Sequence, residues 1–440
     1  KESKPMRRPY AKTFRLVAMT AASAAVAACG LSSNSNTNAL LAGPTGQPIT
    51  VGISLPLAGP QHAGGFDTDG QATKRGYELW ASDVNSHGGL LGRPVKLIIL
   101  NDKGDPKIDG NNYRTLITQD HVDLTLAPFS SLLVSQAAGQ MTQHYGYVLA
   151  AGSAGAPPVY GLKDPYLFST NVPATDQMLP FAKWLLKQPG HPTSAAYPEV
   201  DDPFADPPVE TAMGYLSAHG VHTVFTNIKH HYSPTASVRT LTADAKQIAQ
   251  QHHPQIVFLG SIAVATVQAF MKGFQEAKWI PKYFIASSGP DQGNSFINTV
   301  GPGDAVGAMV PNGWSGDYQN QNAFSHVMVQ DYIAKYGGTA SQINADVAEA
   351  YGAGQVEAAA VEATHSLNQQ VLRNWLHKPT TYVQTVTGQV HFDANGKNTD
   401  IANSALIFQW QPGQGGSGAP QFVQVLPKPL GGQNIIPWAG

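Results

Sequence analysis

Residues 49–55, ITVGISL, are followed by GQATKRGYELWASDVN at 70–85 and by VKLIIL at 95–100, and this succession decides the fold class. The first and third stretches are short apolar runs typical of buried strands, whereas the second repeats small and apolar residues at helical spacing. A strand, a helix and a strand in strict order predict parallel strands joined by right-handed crossovers. The pattern therefore predicts an α/β fold.

The same alternation runs along most of the chain and predicts two lobes. Strands at 122–127 and 147–151 complete the first sheet, and a second run has strands at 194–197, 221–227, 255–259 and 282–286. Helices at 323–336 and 345–365 and three antiparallel tail strands follow. We expect two doubly wound parallel-sheet lobes between which the chain crosses three times. Lobe 1 comprises 48–171 and 312–378, and lobe 2 comprises 172–311 and 379–440.

The first 47 residues have a different composition from the rest of the chain. A basic stretch and an apolar run at 16–28 precede Cys29, the single cysteine of the 440 residues. This order is typical of a secretory signal peptide, predicted at 1–28, and residues 26–30 resemble the lipobox of bacterial lipoproteins. Cys29 is then the lipid attachment point and the uncharged segment 29–47 a flexible tether. The alternative is an ordinary cleaved signal with an incidental cysteine.

Charge and motifs argue against several classes of protein. Without residues 1–28, which hold six basic side chains and one acidic, the net charge falls from −2 to −7, which disfavours nucleic acid as a partner. No glycine-rich nucleotide loop follows a strand, and AGSAG at 151–155 lacks the first glycine of a nucleophile elbow. The histidine pairs at 230–231 and 252–253 lack the i, i+4 spacing of metal ligands. We predict no catalytic residue, cofactor or metal.

Small and hydroxyl-bearing residues follow two predicted strands of lobe 1, where open α/β sheets bind ligands. Ser130 and Ser131 begin a helix after the third strand, and a helix start offers free N–H groups to a carboxylate. Gly152, Ser153 and Ala154 follow the fourth strand. Serine is also a common helix N-cap, so the sequence leaves both roles open.

Six stretches occur in the order found in a known family and cover most of the chain from Ile49 to Pro427. They are ITVGISLPLAGP (49–60), GYELWASDVNSHGGLLGRPVKLIILNDKGDP (76–106), FSSLLVSQAAGQMTQHYGYVLAAGSAGAP (129–157), PYLFSTNVPATDQ (165–177), ADVAEAYGAGQVEAAAVEA (345–363) and TGQVHFDANGK (387–397). The chain resembles type I periplasmic binding proteins of the branched-chain amino acid transporter class. The resemblance implies two lobes joined by a three-strand hinge that close over a small molecule.

The resemblance also implies a set of binding residues. Ser130 or Ser131, with Gly152, Ser153 and Ala154, match the positions that hold a ligand carboxylate. The aromatic contact from lobe 2 falls on Tyr197 or Phe204.

Three positions depart from the family pattern and concern the end of the pocket that holds an ammonium group. Ser288 stands where an acid is expected, with Asp291 the nearest acid. The tyrosine of the first loop falls on Gly64, with His62 nearby, and that of lobe 2 falls near 261–262. We therefore expect a pocket that keeps its carboxylate end, loses its ammonium end, and binds leucine, isoleucine and valine poorly.

Together these features predict a binding protein and not an enzyme. We expect a monomeric, extracytoplasmic, lipid-anchored solute-binding subunit of an ABC importer, which captures a small carboxylate-bearing molecule by hinge closure and presents it to permease subunits. The alternatives are a ligand sensor for a receptor and an exported hydrolase.

Overall fold

The computed structural model describes residues 44–58, 66–316, 322–400, 406–413, 418–429 and 431–440. The predictions that concern the signal peptide, Cys29, most of the tether, His62 and Gly64 lie outside these residues. Within them no helix combines the length and the apolar character needed to cross a bilayer.

The described strands form two large sheets and one short ribbon. The strands are β1 (Ile49–Leu55), β2 (Val95–Asn101), β3 (Leu124–Leu126), β4 (Leu149–Ala151), β5 (Leu167–Ser169), β6 (Ser194–Tyr197), β7 (His222–Thr226), β8 (Ile256–Leu259), β9 (Tyr283–Ala286), β10 (Ala308–Asn312), β11 (Val383–Thr385), β12 (Gly388–Val390), β13 (Leu406–Gln411) and β14 (Gln421–Leu426). The first sheet has the order β2-β1-β3-β4-β5 and the second β14-β13-β10-β9-β8-β6-β7. The ribbon pairs β11 with β12.

Helices cover both faces of each sheet. The helices are α1 (Phe66–Ser86), α2 (Pro106–Thr118), α3 (Ser131–Leu133), α4 (Gly139–Tyr145), α5 (Pro157–Gly161), α6 (Leu179–Leu185), α7 (Asp206–Ala218), α8 (Val238–His252), α9 (Val264–Glu276), α10 (Asn294–Val300), α11 (Pro302–Ala305), α12 (Ala323–Tyr336), α13 (Ala345–Thr364) and α14 (Gln369–Leu376). A π-helical segment, Val134–Ala138, joins α3 to α4. Pairing is parallel throughout the first sheet, and in the second β13 pairs antiparallel with β10 and with β14.

The predicted α/β class with two parallel-sheet lobes is confirmed, and the structure adds three strands. The strands β5, β10 and β11 were not predicted, because each is a short run whose neighbours carry no strand pattern. The α12 and α13 helices and the β11–β12 ribbon contribute side chains to the core of the first lobe. The chain thus crosses after β5, after β10 and between β12 and β13. The exact lobe boundaries remain a prediction, and the burial of Val383 and Phe392 in the first core favours a last crossing later than residue 378.

Candidate ligand-binding site

A cleft lies where loops at the carboxyl ends of strands from both sheets come together. Its lining includes, from the first lobe, Phe66, Phe129, Ser130, Ser131, Ser153, Asp346 and Glu349, and, from the second, Asp202, Phe204, Ile262, Ser287, Ser288 and Asp291. Open α/β sheets place ligand sites at this edge because loops after the strands converge there. The geometry therefore makes this cleft the candidate binding site.

An apolar cluster joins the two lobes at one side of the cleft. Phe66 at the start of α1 packs with Ala205 and Ile262 of the second lobe, and the ring of Phe129 meets that of Phe66 edge-on at 5.4 Å between centroids. Phe204 lines the same cleft. A ligand here meets a hydrocarbon and aromatic wall on one side.

The two adjacent serines after β3 play different parts. The Oγ of Ser131 accepts a hydrogen bond from the backbone N–H of Ala156 at 3.2 Å, so this hydroxyl ties α3 to the loop before α5. Ser130 lines the cleft and is nine-tenths buried, and its Oγ has no hydrogen-bond partner in the part of the chain that the structure describes. A buried polar atom without a partner costs free energy, so Ser130 is the better candidate for a ligand contact.

Of the three residues after β4, Ser153 lies at the cleft, whereas Gly152 and Ala154 are part of the packed interior. Ser153 lines the cleft, and its Oγ donates to Glu349 Oε2 at 2.7 Å. A Cβ on Gly152 would lie 2.5 Å from the carbonyl oxygen of Glu349, so this glycine lets β4 approach α13 closely. Ala154 is fully buried, and its carbonyl oxygen accepts from Ser169 Oγ at 2.7 Å. Neither Gly152 nor Ala154 lines the main cleft.

Of the two aromatic candidates of lobe 2, the structure brings Phe204 to the cleft and places Tyr197 in the core. The ring of Tyr197 is fully buried and stacks on Phe258 at 5.4 Å. It is the last residue of β6 and points into the sheet's packed face. The proposed contact between Tyr197 and a ligand is therefore wrong for this structure.

Ser288 lies on the cleft as expected, but the expectation that the cleft lacks an acid is wrong. Asp291 lines it, and its Oδ1 accepts from the backbone N–H of Gly289 at 2.8 Å and its Oδ2 from Asn312 Nδ2 at 2.8 Å. The turn after β9 folds back and so brings Asp291 beside Ser288. In the sequence, Asp291 is three residues after Ser288, the position at which the family pattern places the acid.

Two further cleft acids come from the first turns of α13. Asp346 and Glu349 are half-buried, and Ser153 Oγ lies within hydrogen-bond distance of both. Asp69 of α1 is buried behind them and shares a hydrogen bond with Asp346. We call Asp69, Asp291, Asp346 and Glu349 the carboxylate cluster.

Burial is the main cause of the raised pKa of each member of the carboxylate cluster. It raises the pKa of Asp346 to about 7 and those of Asp69 and Glu349 well above their usual values, and the neighbouring carboxylates raise them further. The pKa of Asp291 is also raised by burial, although hydrogen bonds to its carboxylate oppose the shift. Sequence reasoning missed Asp346 and Glu349, whose signal was an acidic pair at i, i+3 in a helix otherwise rich in alanine and glycine.

A second group of ionisable side chains lies beside the cleft. The imidazole of His231 lies between two buried carboxylates, with Nε2 3.2 Å from Glu199 and Nδ1 3.1 Å from Asp206. One metal ion cannot take both ring nitrogens, so the two acids on either side of the ring do not form a favourable three-ligand metal site with it. Burial raises the pKa of Glu199 and of Asp206 to about 8.

Residues 48–417 match the family model described as periplasmic binding protein. The substrate-binding protein BasB of a chemotactic signal transduction system in Halobacterium salinarum is 33% identical over 97 residues, which are 21% of this chain and 23% of that protein. The match thus spans about a quarter of this curated relative.

Solved structures share the fold at low identity. A branched-chain amino acid transporter substrate-binding protein, LivJ from Streptococcus pneumoniae, in complex with isoleucine, aligns with a TM-score of 0.66, 17% identity, and coverage of 86% of this chain and 100% of that one. A solute-binding protein of an ABC transporter from R. palustris, in complex with benzoate, aligns with a TM-score of 0.66, 16% identity, and coverage of 86% and 96%.

Proposed function

Because the chain belongs to the periplasmic binding protein family, we propose that it is the solute-binding subunit of an ABC importer. It captures a small molecule in the cleft between its lobes and presents the closed form to a permease. The observation that carries this proposal is a cleft lined by loops from both sheets and by Ser130, whose hydroxyl has no hydrogen-bond partner among the described residues.

Closure follows from the distribution of the contacts. A ligand that touches Ser130 of the first lobe and Phe204 of the second gains both contacts only when the lobes are together, so its binding energy shifts the population toward the closed form. The cluster of Phe66, Ala205 and Ile262 supports this arrangement, because it buries apolar surface from both lobes. No chemistry on the ligand is required.

The ligand we propose has a polar group, such as a carboxylate or an amine, that forms a hydrogen bond with the Ser130 hydroxyl, and a hydrocarbon body for the aromatic wall. Structural relatives bind isoleucine and benzoate, which both carry a carboxylate. The expected rejection of leucine for want of an acid loses its basis, because Asp291 lines the cleft.

Thermal-shift screening followed by small-angle scattering tests the proposal. In a library of small acids, amines and amino acids, a ligand at 100 times its dissociation constant stabilises the native state by about 2.7 kcal/mol. The radius of gyration should fall when a hit is added. A tight ligand that leaves the radius unchanged would refute hinge closure.

A role as a sensor is the second candidate, and one observation favours it. BasB, to which a quarter of the chain is similar, is named for chemotactic signal transduction. Capture of membrane partners by the ligand-loaded protein separates the roles, because an importer retains permease subunits and a sensor retains a receptor.

We also propose an extracytoplasmic location, which family membership supports, and a lipid anchor at Cys29, which only the sequence supports. The wild type should partition into detergent and a Cys29→Ser variant should not. Equal partitioning of the two would disprove the anchor.

A further inference from the structure

The cleft has an uneven charge. Asp202 and Asp291 of the second lobe and Asp346 and Glu349 of the first all line it, and none of its described lining residues is a lysine, an arginine or a histidine. A binding site with four carboxyl groups and no basic side chain favours cations over anions. Acids alone do not define a ligand, so the partners of these groups matter.

Apart from one another, the members of the carboxylate cluster have neutral described hydrogen-bond partners. Asp291 accepts from Asn312, Asp69 accepts from Gln292 at 3.3 Å, and the hydroxyl of Ser153 donates to Glu349. Neutral donors orient carboxylates but do not compensate their charge. Burial without a counterion raises the pKa of Asp69, Asp346 and Glu349, and a cationic partner would stabilise their ionised form.

A second, independent observation points to an organic ligand. Ser130 lines the same cleft, is nine-tenths buried, and its Oγ has no hydrogen-bond partner among the described residues. It needs an organic donor or acceptor, and the wall formed by Phe66, Phe129 and Phe204 needs a hydrocarbon body. A bare metal ion satisfies neither requirement.

We infer that the solute taken up by this cleft is a small organic amine with a net positive charge, such as a diamine or a dibasic amino acid. Its cationic group lies between Asp291 and the α13 pair Asp346 and Glu349. This inference rests on the proposed function and adds the charge of the solute to it. Since the acids come from both lobes, the cation also bridges them and favours closure.

The ligand must carry a net positive charge, because an ammonium group that is offset by a carboxylate of the same ligand brings no net compensation to the acids of the cleft. A zwitterion such as leucine brings its own carboxylate into a cleft that has no described basic residue to receive it. Benzoate brings a negative charge with no compensation at all. Both therefore bind less tightly than an amine of similar size and net positive charge.

Titration calorimetry at pH 7.5 tests the inference with 1,4-diaminobutane, 1,5-diaminopentane, lysine, ornithine, leucine and benzoate. At least one net-positive probe should bind tenfold or more tightly than leucine and benzoate. Asp291→Asn and Glu349→Gln should each weaken that probe by at least about tenfold, since hydrogen bonds between charged groups are the stronger class. Asp120→Asn, which removes an exposed acid in the turn between α2 and β3, is the matched control and should change nothing.

Each other outcome overturns the inference. It is wrong if leucine or benzoate binds at least as tightly as every net-positive probe, if no such probe binds, or if both cleft variants bind the best probe like the wild type. The two variants lie on different lobes, so misfolding of one leaves the other to decide. If leucine or benzoate binds best and lowers the radius of gyration, the importer proposal still holds and only the inferred charge of the solute is wrong. If a net-positive probe binds tightly without lowering the radius of gyration, only hinge closure is refuted.

Discussion

Two neighbouring serines show how much a single hydroxyl group depends on its surroundings. Ser130 and Ser131 are both buried and both line the cleft, yet only the Oγ of Ser131 has a partner, the backbone N–H of Ala156. The first hydroxyl is thus available to a ligand, and the second is part of the structure. The same substitution at the two positions should have opposite consequences.

We predict that Ser131→Ala lowers the free energy of unfolding by about 1–3 kcal/mol, because it leaves the buried N–H of Ala156 without an acceptor. Ser130→Ala should leave stability unchanged or slightly higher and should weaken ligand binding several-fold. Denaturant unfolding and calorimetry measure the two effects. Equal stability losses for both variants would contradict this division.

At the scale of elements, α13 has two tasks. Its first turns place Asp346 and Glu349 at the cleft, where the partial positive charge of a helix N-terminus favours acids, and Asn344 caps it by accepting from the N–H of Asp346 at 2.8 Å. Its middle packs closely against α1, because Gly354 faces Trp80 and Gly76 faces Val347. The position of the cleft acids therefore depends on the contact between α1 and α13.

We predict that Gly354→Ala destabilises the protein by about 1–3 kcal/mol, because the added Cβ would lie 2.5 Å from the ring of Trp80 in a packed core. Gly214→Ala in α7 is the matched control. It is also inside a helix, a Cβ there meets nothing within 4 Å, and the change should stabilise by about 0.5–1 kcal/mol. Thermal and denaturant unfolding measure the change in stability of each variant. Equal changes for the two variants would exclude close packing of α1 against α13 as the cause.

At the scale of the whole molecule, buried carboxyl groups make stability depend on pH. Burial raises the pKa of Asp102 and that of Asp346 to about 7 and the pKa of Glu357 well above its usual value. The folded protein therefore binds these protons more tightly than the unfolded chain does. The contribution of these protonated groups to stability is complete below the pKa values of the unfolded chain, near 4. It is lost as the pH rises through the pKa values of the folded protein.

We predict that the ligand-free protein is less stable at pH 8 than at pH 5 by at least about 1.4 kcal/mol, the equivalent of one pKa unit. Thermal unfolding at constant ionic strength measures the difference. Glu357→Met should flatten the dependence, because Glu357 is fully buried and its carboxyl oxygens have no hydrogen-bond partner among the described residues. Asp120→Asn should not alter it, and a stability that rises over this range would contradict the prediction.

The sequence by itself determined most of the elements and their order. Periodicity predicts the helix Ala323–Tyr336 and the strand Ser194–Tyr197 with the bounds that the structure shows, because a buried face demands apolar residues at the period of its element. It also predicts the edge of the sheets where ligands bind, since parallel strands place their following loops together. Ser130, Ser153, Phe204 and Ser288 are on the cleft for this reason.

Only the tertiary structure decided which side chains face the cleft and with what charge. Asp346 and Glu349 are some two hundred residues from Ser130 and meet it because the chain crosses back to the first lobe before α13. An acidic pair at i, i+3 is as common on a solvated helix face, so the spacing alone does not assign it to a cleft. Likewise Tyr197 and Phe204 are equivalent in the sequence, and the packing of β6 against Phe258 is what buries the first and leaves the second at the ligand site.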